Sequence, residues 1–121
     1  MTPPALPSGH VSTYVVDCVP ENLVQEPAQL TLSCADANEV LDELHWSDWG
    51  EATATATGAL LTNTCEPTCA DGTTARFPVE VRVGDPDDDE GTSFYRSIVV
   101  TPTDDLPPGW DGPLRQELPG P

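Results

Sequence analysis

Residues 77–83 read Phe77-Pro78-Val79-Glu80-Val81-Arg82-Val83, an alternation of apolar and charged side chains. Successive side chains of a β-strand point to opposite faces of a sheet, so the three valines are expected to face a core and the two charges to face water. Proline has no N–H to donate to a neighbouring strand, and Pro78 is therefore expected at the start of the strand or on a sheet edge. The stretch predicts one half-buried strand of a β-sheet.

Other parts of the chain carry similar strand signals. They are residues 11–18, 28–34, 52–58 and 93–101. Residues 40–46 fit either one helical turn or an alternating strand, and we expect a strand because the segment is short and lies among strands. Turn signals, including Asp71-Gly72, separate these segments about every ten residues. The pattern predicts an all-β fold, a small disulfide-stapled β-sandwich or barrel of about six or seven short antiparallel strands.

Proline-rich ends flank the predicted domain. We expect residues 1–10 to be disordered or extended, residues 11–102 to form a single β domain, and residues 103–121 to form a Pro/Gly-rich C-terminal tail. The first residues lack the basic and apolar regions of a signal peptide, so either the protein stays in the cytoplasm or an export signal has been removed. No apolar run is long enough to cross a bilayer as a helix.

The chain is strongly acidic. Its 121 residues include 21 aspartates and glutamates against four arginines and no lysine, which gives a net charge of −17. This balance argues against binding to nucleic acids or to anionic membranes, since both need Lys and Arg. It favours solubility and basic or cationic partners, and we expect a monomer.

Four cysteines, Cys18, Cys34, Cys65 and Cys69, allow three disulfide connectivities. We predict the pairs Cys18–Cys34 and Cys65–Cys69, because the first two each close a strand and Pro67 bends the short segment between the last two. Zinc binding by four thiolates is the alternative, but Cys18 and Cys34 are too far apart for the tight pairs of structural zinc sites. Disulfides predict a secreted or cell-envelope protein.

Three short motifs follow one another within about two-thirds of the chain, residues 18–101. They are Cys34-Ala35-Asp36, Trp46-x-x-Trp49-Gly50 and Cys65-x-Pro67-x-Cys69. In this order they resemble a group of small exported proteins of actinobacteria. The resemblance implies a secreted or cell-envelope location and supplies no catalytic residues. The acidic segment 84–91 and the tail with Trp110 are not features of that group.

The acidic segment from Gly84 to Gly91 is expected to be a hairpin loop. Asp85, Asp87 and Asp89 alternate in it and offer oxygen ligands for calcium. The segment departs from the calcium-loop signature, which requires glycine at position 90 and an acidic residue at position 96, where this chain has glutamate and arginine. We predict no cofactor, and a weak calcium site is the alternative to a solvated loop.

Aromatic residues offer a second candidate site. Trp46, Trp49 and Trp110 form a possible binding surface for sugars or Pro-rich peptides. The alanines of residues 52–58 are small enough to pack beneath one of the first two tryptophans, with the intervening threonines facing water. A tryptophan in the core is therefore the competing interpretation for this pair.

These features predict a non-catalytic binding or interaction module, whose partner is an unidentified protein or envelope ligand. The first alternative is a protease inhibitor that acts through the Cys65–Cys69 loop, since rigid loops bind at a low entropic cost. Further alternatives are a calcium-binding β domain and an enzyme that uses His45 with Asp42 or Asp48. The sequence contains no nucleophile-elbow motif to support the enzyme.

Overall fold

The computed structural model describes residues 12–35, 38–65 and 67–120, with the main chain only of Asp89. The predictions for residues 1–10 and for the start of the domain at Val11 lie outside this part. The described residues form eight β-strands and no helix. The strands are β1 (Ser12–Val16), β2 (Leu23–Val24), β3 (Leu30–Thr31), β4 (Glu39–Ser47), β5 (Ala54–Asn63), β6 (Thr74–Asp89), β7 (Thr92–Pro102) and β8 (Leu114–Glu117).

All eight strands belong to one curled sheet with the order β2-β1-β7-β6-β5-β4-β3, and β8 also pairs with β7. The pairs are antiparallel except that β1 and β7 run parallel. The all-β, disulfide-stapled fold is thus confirmed. The prediction of only antiparallel strands is wrong at β1, which lies far from β7 in sequence and is therefore not constrained to the antiparallel direction of a hairpin.

Strand β6 contains the alternating stretch and extends beyond it at both ends. Val79, Val81 and Val83 are buried, as the alternation predicts. Pro78 lies inside the strand and not at its start. It pairs with Ala59 of β5 on one side, but on the other side it lies just beyond the end of the β6–β7 pairing, and so at an edge of the sheet. Its carbonyl accepts a hydrogen bond from Thr103 N at 3.0 Å, just beyond the last β6–β7 residue pair. Since N and O of one strand residue point the same way, the proline nitrogen faces the place where the pairing ends.

The Ala/Thr alternation forms the first half of β5. Ala54 and Ala56 are buried while Thr57 is exposed, which confirms the predicted faces. Ala56 lies directly opposite Trp46 of β4, so the small side chain leaves room for the large one. Ala52 precedes the strand and is exposed. The preference for a strand over a helical turn at residues 40–46 is confirmed by β4.

A β-bulge interrupts the β4–β5 pairing between Asp42 and His45. Glu43 adopts a positive φ of 56° there, and Gly58 of β5 lies against the bulge. A Cβ atom on Gly58 would lie 2.7 Å from the Asp42 carbonyl oxygen and 2.8 Å from Leu44 Cδ2. The bulge can approach β5 this closely only because residue 58 has no side chain.

We therefore expect Gly58→Ala to lower the free energy of unfolding by about 1–3 kcal/mol, because the added methyl group meets main-chain atoms that cannot rotate away. Urea denaturation followed by tryptophan fluorescence measures this change. Gly112→Ala is the matched control, since a Cβ there has no heavy atom within 4 Å. Equal stability of the two variants would contradict the close approach at the bulge.

The C-terminal residues are part of the packed unit, and the predicted domain end at residue 102 is too early. Strand β8 pairs with residues 97–100 of β7. Leu118 is 4% exposed and belongs to the hydrophobic core, and Pro107 is fully buried. Proline and glycine content indicates a tail, but four residues of strand and one leucine are enough to attach it to the sheet.

The two ends of the sheet approach each other after β1 and at β3. Thr31 N of β3 donates to Asp17 Oδ1, just after β1, at 3.3 Å. The C-terminal segment crosses the same gap, because Gln116 Nε2 of β8 donates to the Leu32 carbonyl oxygen at 3.1 Å. Trp110 Nε1 donates to Glu39 Oε2 of β4 at 3.2 Å. Among the described residues, side chains and the C-terminal segment therefore join these two ends of the sheet, which no main-chain ladder connects.

Candidate functional site

Both predicted disulfides, Cys18–Cys34 and Cys65–Cys69, are formed. Cys18 and Cys34 lie 16 residues apart in sequence with their Cα atoms 5.5 Å apart. The first follows β1 and the second follows β3, so this bond ties together the two ends of the curled sheet. The disulfides are consistent with an oxidising extracellular location.

The second disulfide lies within the loop that connects β5 to β6, residues 64–73, which we name the stapled loop. Thr64 N donates to the Thr73 carbonyl oxygen at 2.9 Å at its base. The Asn63 side chain accepts from Cys65 N at 2.8 Å and donates to the Cys69 carbonyl oxygen at 2.7 Å. One asparagine therefore holds both cysteine residues of the loop.

The outer part of the stapled loop combines internal bonding with exposure. Thr68 Oγ1 accepts a hydrogen bond from Asp71 N at 3.1 Å. Residues 67–71 are all exposed, while Glu66 lies outside the described residues. The predicted turn at Asp71-Gly72 is therefore one corner of a ten-residue loop and not a two-residue hairpin. Its conformation is held from inside, and its tip faces solvent.

The acidic segment is a strand and not the predicted loop. β6 continues to Asp89, which pairs with Thr92 of β7 across the two residues Glu90 and Gly91. These two have positive φ angles of 52° and 86°, as a type I′ hairpin turn requires. The aspartates extend the strand because the β6–β7 register continues without a shift to the turn and leaves Asp87 and Asp88 exposed to water.

The described side chains of the acidic segment do not form a cluster of calcium ligands. Asp87 Oδ2 pairs with Arg96 Nη1 at 3.3 Å, so its charge already has a partner. Among the side chains that the structure describes, no three His, Cys, Asp or Glu residues lie close enough to hold a metal ion. The side chain of Asp89 lies outside that description, and a calcium site at Asp85, Asp87 and Asp89 stays a prediction.

The three tryptophans of the predicted binding surface are half-buried and packed against the core. Trp46 and Trp49 contact each other edge to face with ring centroids 4.9 Å apart. Trp46 Nε1 donates to the Pro27 carbonyl oxygen at 2.7 Å and Trp49 Nε1 to the Thr13 carbonyl oxygen at 2.9 Å. Together with the Trp110–Glu39 bond, every indole N–H is used within the protein. The arrangement favours core packing over ligand stacking.

Tyr95 completes the aromatic cluster and was not singled out by the sequence. Its ring contacts Trp49 edge to face with centroids 5.1 Å apart. The hydroxyl donates to the Glu51 carbonyl oxygen at 2.6 Å and accepts from Gly50 N at 2.9 Å. Burial raises the pKa of Tyr95 above its ordinary value of 10.0, the hydrogen bond from Gly50 opposes this, and the charge of Glu51 adds to the rise.

This shift predicts alkaline destabilisation. The folded protein holds the phenol proton more tightly than the unfolded chain does, so the contribution is complete below pH 10.0 and is lost as pH rises through the folded-state pKa. We expect the free energy of unfolding to fall as pH rises above 10.0 and to fall less steeply in Tyr95→Phe. Urea titrations at several alkaline pH values measure both slopes, and identical slopes would refute the assignment to Tyr95.

His45 is exposed on β4, beside the bulge. It lines a shallow open depression with Glu43 and Arg76, which form an ion pair with each other. Neither Asp42 nor Asp48, the predicted carboxylate partners, lines this depression. Asp42 Oδ1 instead accepts a hydrogen bond from Glu43 N at 2.8 Å and supports the bulge. The enzyme hypothesis stays a prediction without a supporting constellation.

Cross-strand pairing creates one feature that the sequence does not signal, the placement of Arg82 and Arg115 on either side of Val99, where both line one groove. These residues lie 33 positions apart, and no local motif marks either of them.

The described part of the chain contains no helix with the length and apolarity that a membrane span requires. No protein family, curated protein sequence or solved structure matches the chain.

Proposed function

We propose that the protein is a non-catalytic binding module of the secreted or cell-envelope compartment, and that the stapled loop is its recognition element. The observation that carries this proposal is the internal bonding of the stapled loop together with the exposure of its residues 67–71. A disulfide and the Asn63 side chain hold the loop, while residues 67–71 face solvent.

Pre-organisation is the physical reason to assign binding to this loop. A flexible loop must lose conformational freedom when it binds, at a cost of roughly 0.5–1.5 kcal/mol for each side chain that becomes immobile. A loop that is already held in one conformation avoids much of this cost. Disulfide-stapled hairpin ends also occur as purely structural features in small exported domains, and the experiment below separates the two roles.

The charge of the chain narrows the class of partner. A net charge of −17 attracts a basic protein surface at long range and repels an acidic one. Asp71 places one carboxylate in the exposed part of the loop. We therefore propose a partner protein with a basic surface. The disulfides and the resemblance to exported actinobacterial proteins support the proposed location.

A protease inhibitor is the second candidate, and the same exposed loop favours it. A stapled loop with an exposed Pro67 is a shape that can enter the active-site cleft of a serine protease. This version predicts inhibition of at least one member of a broad serine protease panel, with loss of inhibition on reduction. No inhibition across the panel would eliminate the inhibitor while leaving the binding module open to its own test.

The test of the binding module compares capture of envelope proteins by three immobilised variants. Asn63→Ala removes both side-chain bonds to the loop, and Cys65→Ser with Cys69→Ser removes the staple. Asn22→Ala is the matched control, because it removes an asparagine bond, to the Asp17 carbonyl oxygen, in a different turn. We expect specific partners to be lost from the first two variants and retained by the control. The same partners on all three would overturn the role of the loop.

A further inference from the structure

The four arginines of this acidic chain differ in whether they form ion pairs within the described structure. Arg76 pairs with Glu43, and Arg96 pairs with Asp87 while its Nε donates to the Leu118 carbonyl oxygen at 3.1 Å. Within the residues that the structure describes, Arg82 and Arg115 have no carboxylate within ion-pair distance. With 21 acidic residues in the chain, two unpaired guanidinium groups stand out as available to an external anion.

Strand pairing places these two arginines on one face. Arg82 of β6 lies directly opposite Val99 of β7, and Val99 lies directly opposite Arg115 of β8. Residues paired in this way share a face of the sheet, so both guanidinium groups stand on the outer face with a valine between them. Two strand spacings separate their backbones by about 10 Å, a distance that two arginine side chains can close on one small ligand.

A groove of ≈ 360 Å³ lies beside this row. Its lining includes both arginines and the hydroxyl-bearing Thr53 and Ser97. Gly84 also lines the groove, and a Cβ atom there would lie 3.6 Å from Ser97 Oγ, an ordinary van der Waals distance, so a methyl group fits without strain. Asp85 also lines the groove and supplies one carboxylate to it. The volume is in the range of small-molecule sites, about 300–1,000 Å³.

The charges define the ligand class. Guanidinium groups bind carboxylate and phosphate oxygens through paired hydrogen bonds, and hydroxyls add further donors. A large polyanion would be repelled by the net charge of −17, whereas a small anion experiences mainly its immediate surroundings because salt screens charges beyond about 8 Å. We propose that this arginine groove binds a small oxyanion, a molecule whose carboxylate or phosphate group is held between Arg82 and Arg115. This site is independent of the stapled loop.

The test titrates the intact protein with citrate and, separately, with inorganic phosphate, and follows backbone amide shifts by NMR. We expect saturable shifts centred on β6, β7 and β8 with at least one of the two anions. Stronger binding of citrate would assign a carboxylate ligand, and stronger binding of phosphate a phosphate-bearing one. Arg82→Gln and Arg115→Gln should each weaken that binding by about tenfold or more.

Two further variants keep the result interpretable. Arg76→Gln makes the same change in net charge but alters an arginine that is already paired, so it should leave the affinity within about twofold of the wild type. Gly84→Ala adds a methyl group to the groove and should weaken binding without unfolding the protein. Absence of saturation by either anion at millimolar concentrations, or equal weakening by Arg76→Gln, would overturn the proposal.

Discussion

Replacing Cys18 and Cys34 with serine should lower the free energy of unfolding by about 3 kcal/mol, the value that chain entropy gives for a loop of this length. The bond spans 16 residues and restricts the unfolded chain accordingly. It also joins the two ends of the curled sheet, where weaker contacts such as the Asp17–Thr31 hydrogen bond would have to act alone.

The matched control is the replacement of Cys65 and Cys69 with serine. This disulfide spans only four residues, and the same relation gives about 2 kcal/mol for it. It closes a loop at the tip of one hairpin and joins no distant strands. Urea denaturation of the two double variants and the wild type measures the difference. A loop variant less stable than the Cys18/Cys34 variant would contradict the assigned role of the first disulfide.

Removal of residues 103–121 should abolish cooperative unfolding. The deletion takes away β8, uncovers the side of β7 to which residues 114–117 pair, and exposes the core beneath Leu118. It also removes the bonds of Trp110 and Gln116 to Glu39 and Leu32, which bridge the gap in the curled sheet. A domain of this size has a small free energy of unfolding. We expect the stabilisation lost with these contacts to exceed it.

Near-ultraviolet circular dichroism and urea denaturation of the 1–102 fragment test this expectation directly. A folded, cooperative fragment would show that the domain ends where proline and glycine content first suggests. Leu118→Ala in the full chain is a milder version, expected to cost roughly 2–5 kcal/mol as for other buried leucines. Deletion of residues 119–121 is the control and should change stability little, because it leaves β8 and Leu118 in place.

Local pattern alone was sufficient for the buried faces of the main strands and for the disulfides. The alternation at residues 79–83 predicts which side chains are buried, because the two-residue period of a strand is a property of the backbone itself. The small residues Ala54 and Ala56 likewise indicate a large neighbour, and Trp46 lies opposite. The short spacing and the proline between Cys65 and Cys69 indicate their bond for the same local reason.

Composition was a poorer guide where it conflicted with pairing. Residues 86–89 look like part of a solvated loop, yet they continue β6 because each of them pairs with a residue of β7 between Thr92 and Tyr95. Residues 103–120 look like a tail, yet β8 pairs with β7 and Leu118 enters the core. Hydrogen bonding to a neighbouring strand, which composition does not encode, outweighs local propensity in both places.

By itself, the sequence determined the all-β class, the faces of the main strands and the two disulfide pairs, since all of these depend on spacing along the chain. Only the tertiary structure decided the strand order, the parallel β1–β7 pair, the closing role of the C-terminal segment and the placement of Arg82 and Arg115 on either side of Val99. These depend on which strands become neighbours, and that choice is made by the burial of the whole sheet and not by any one segment.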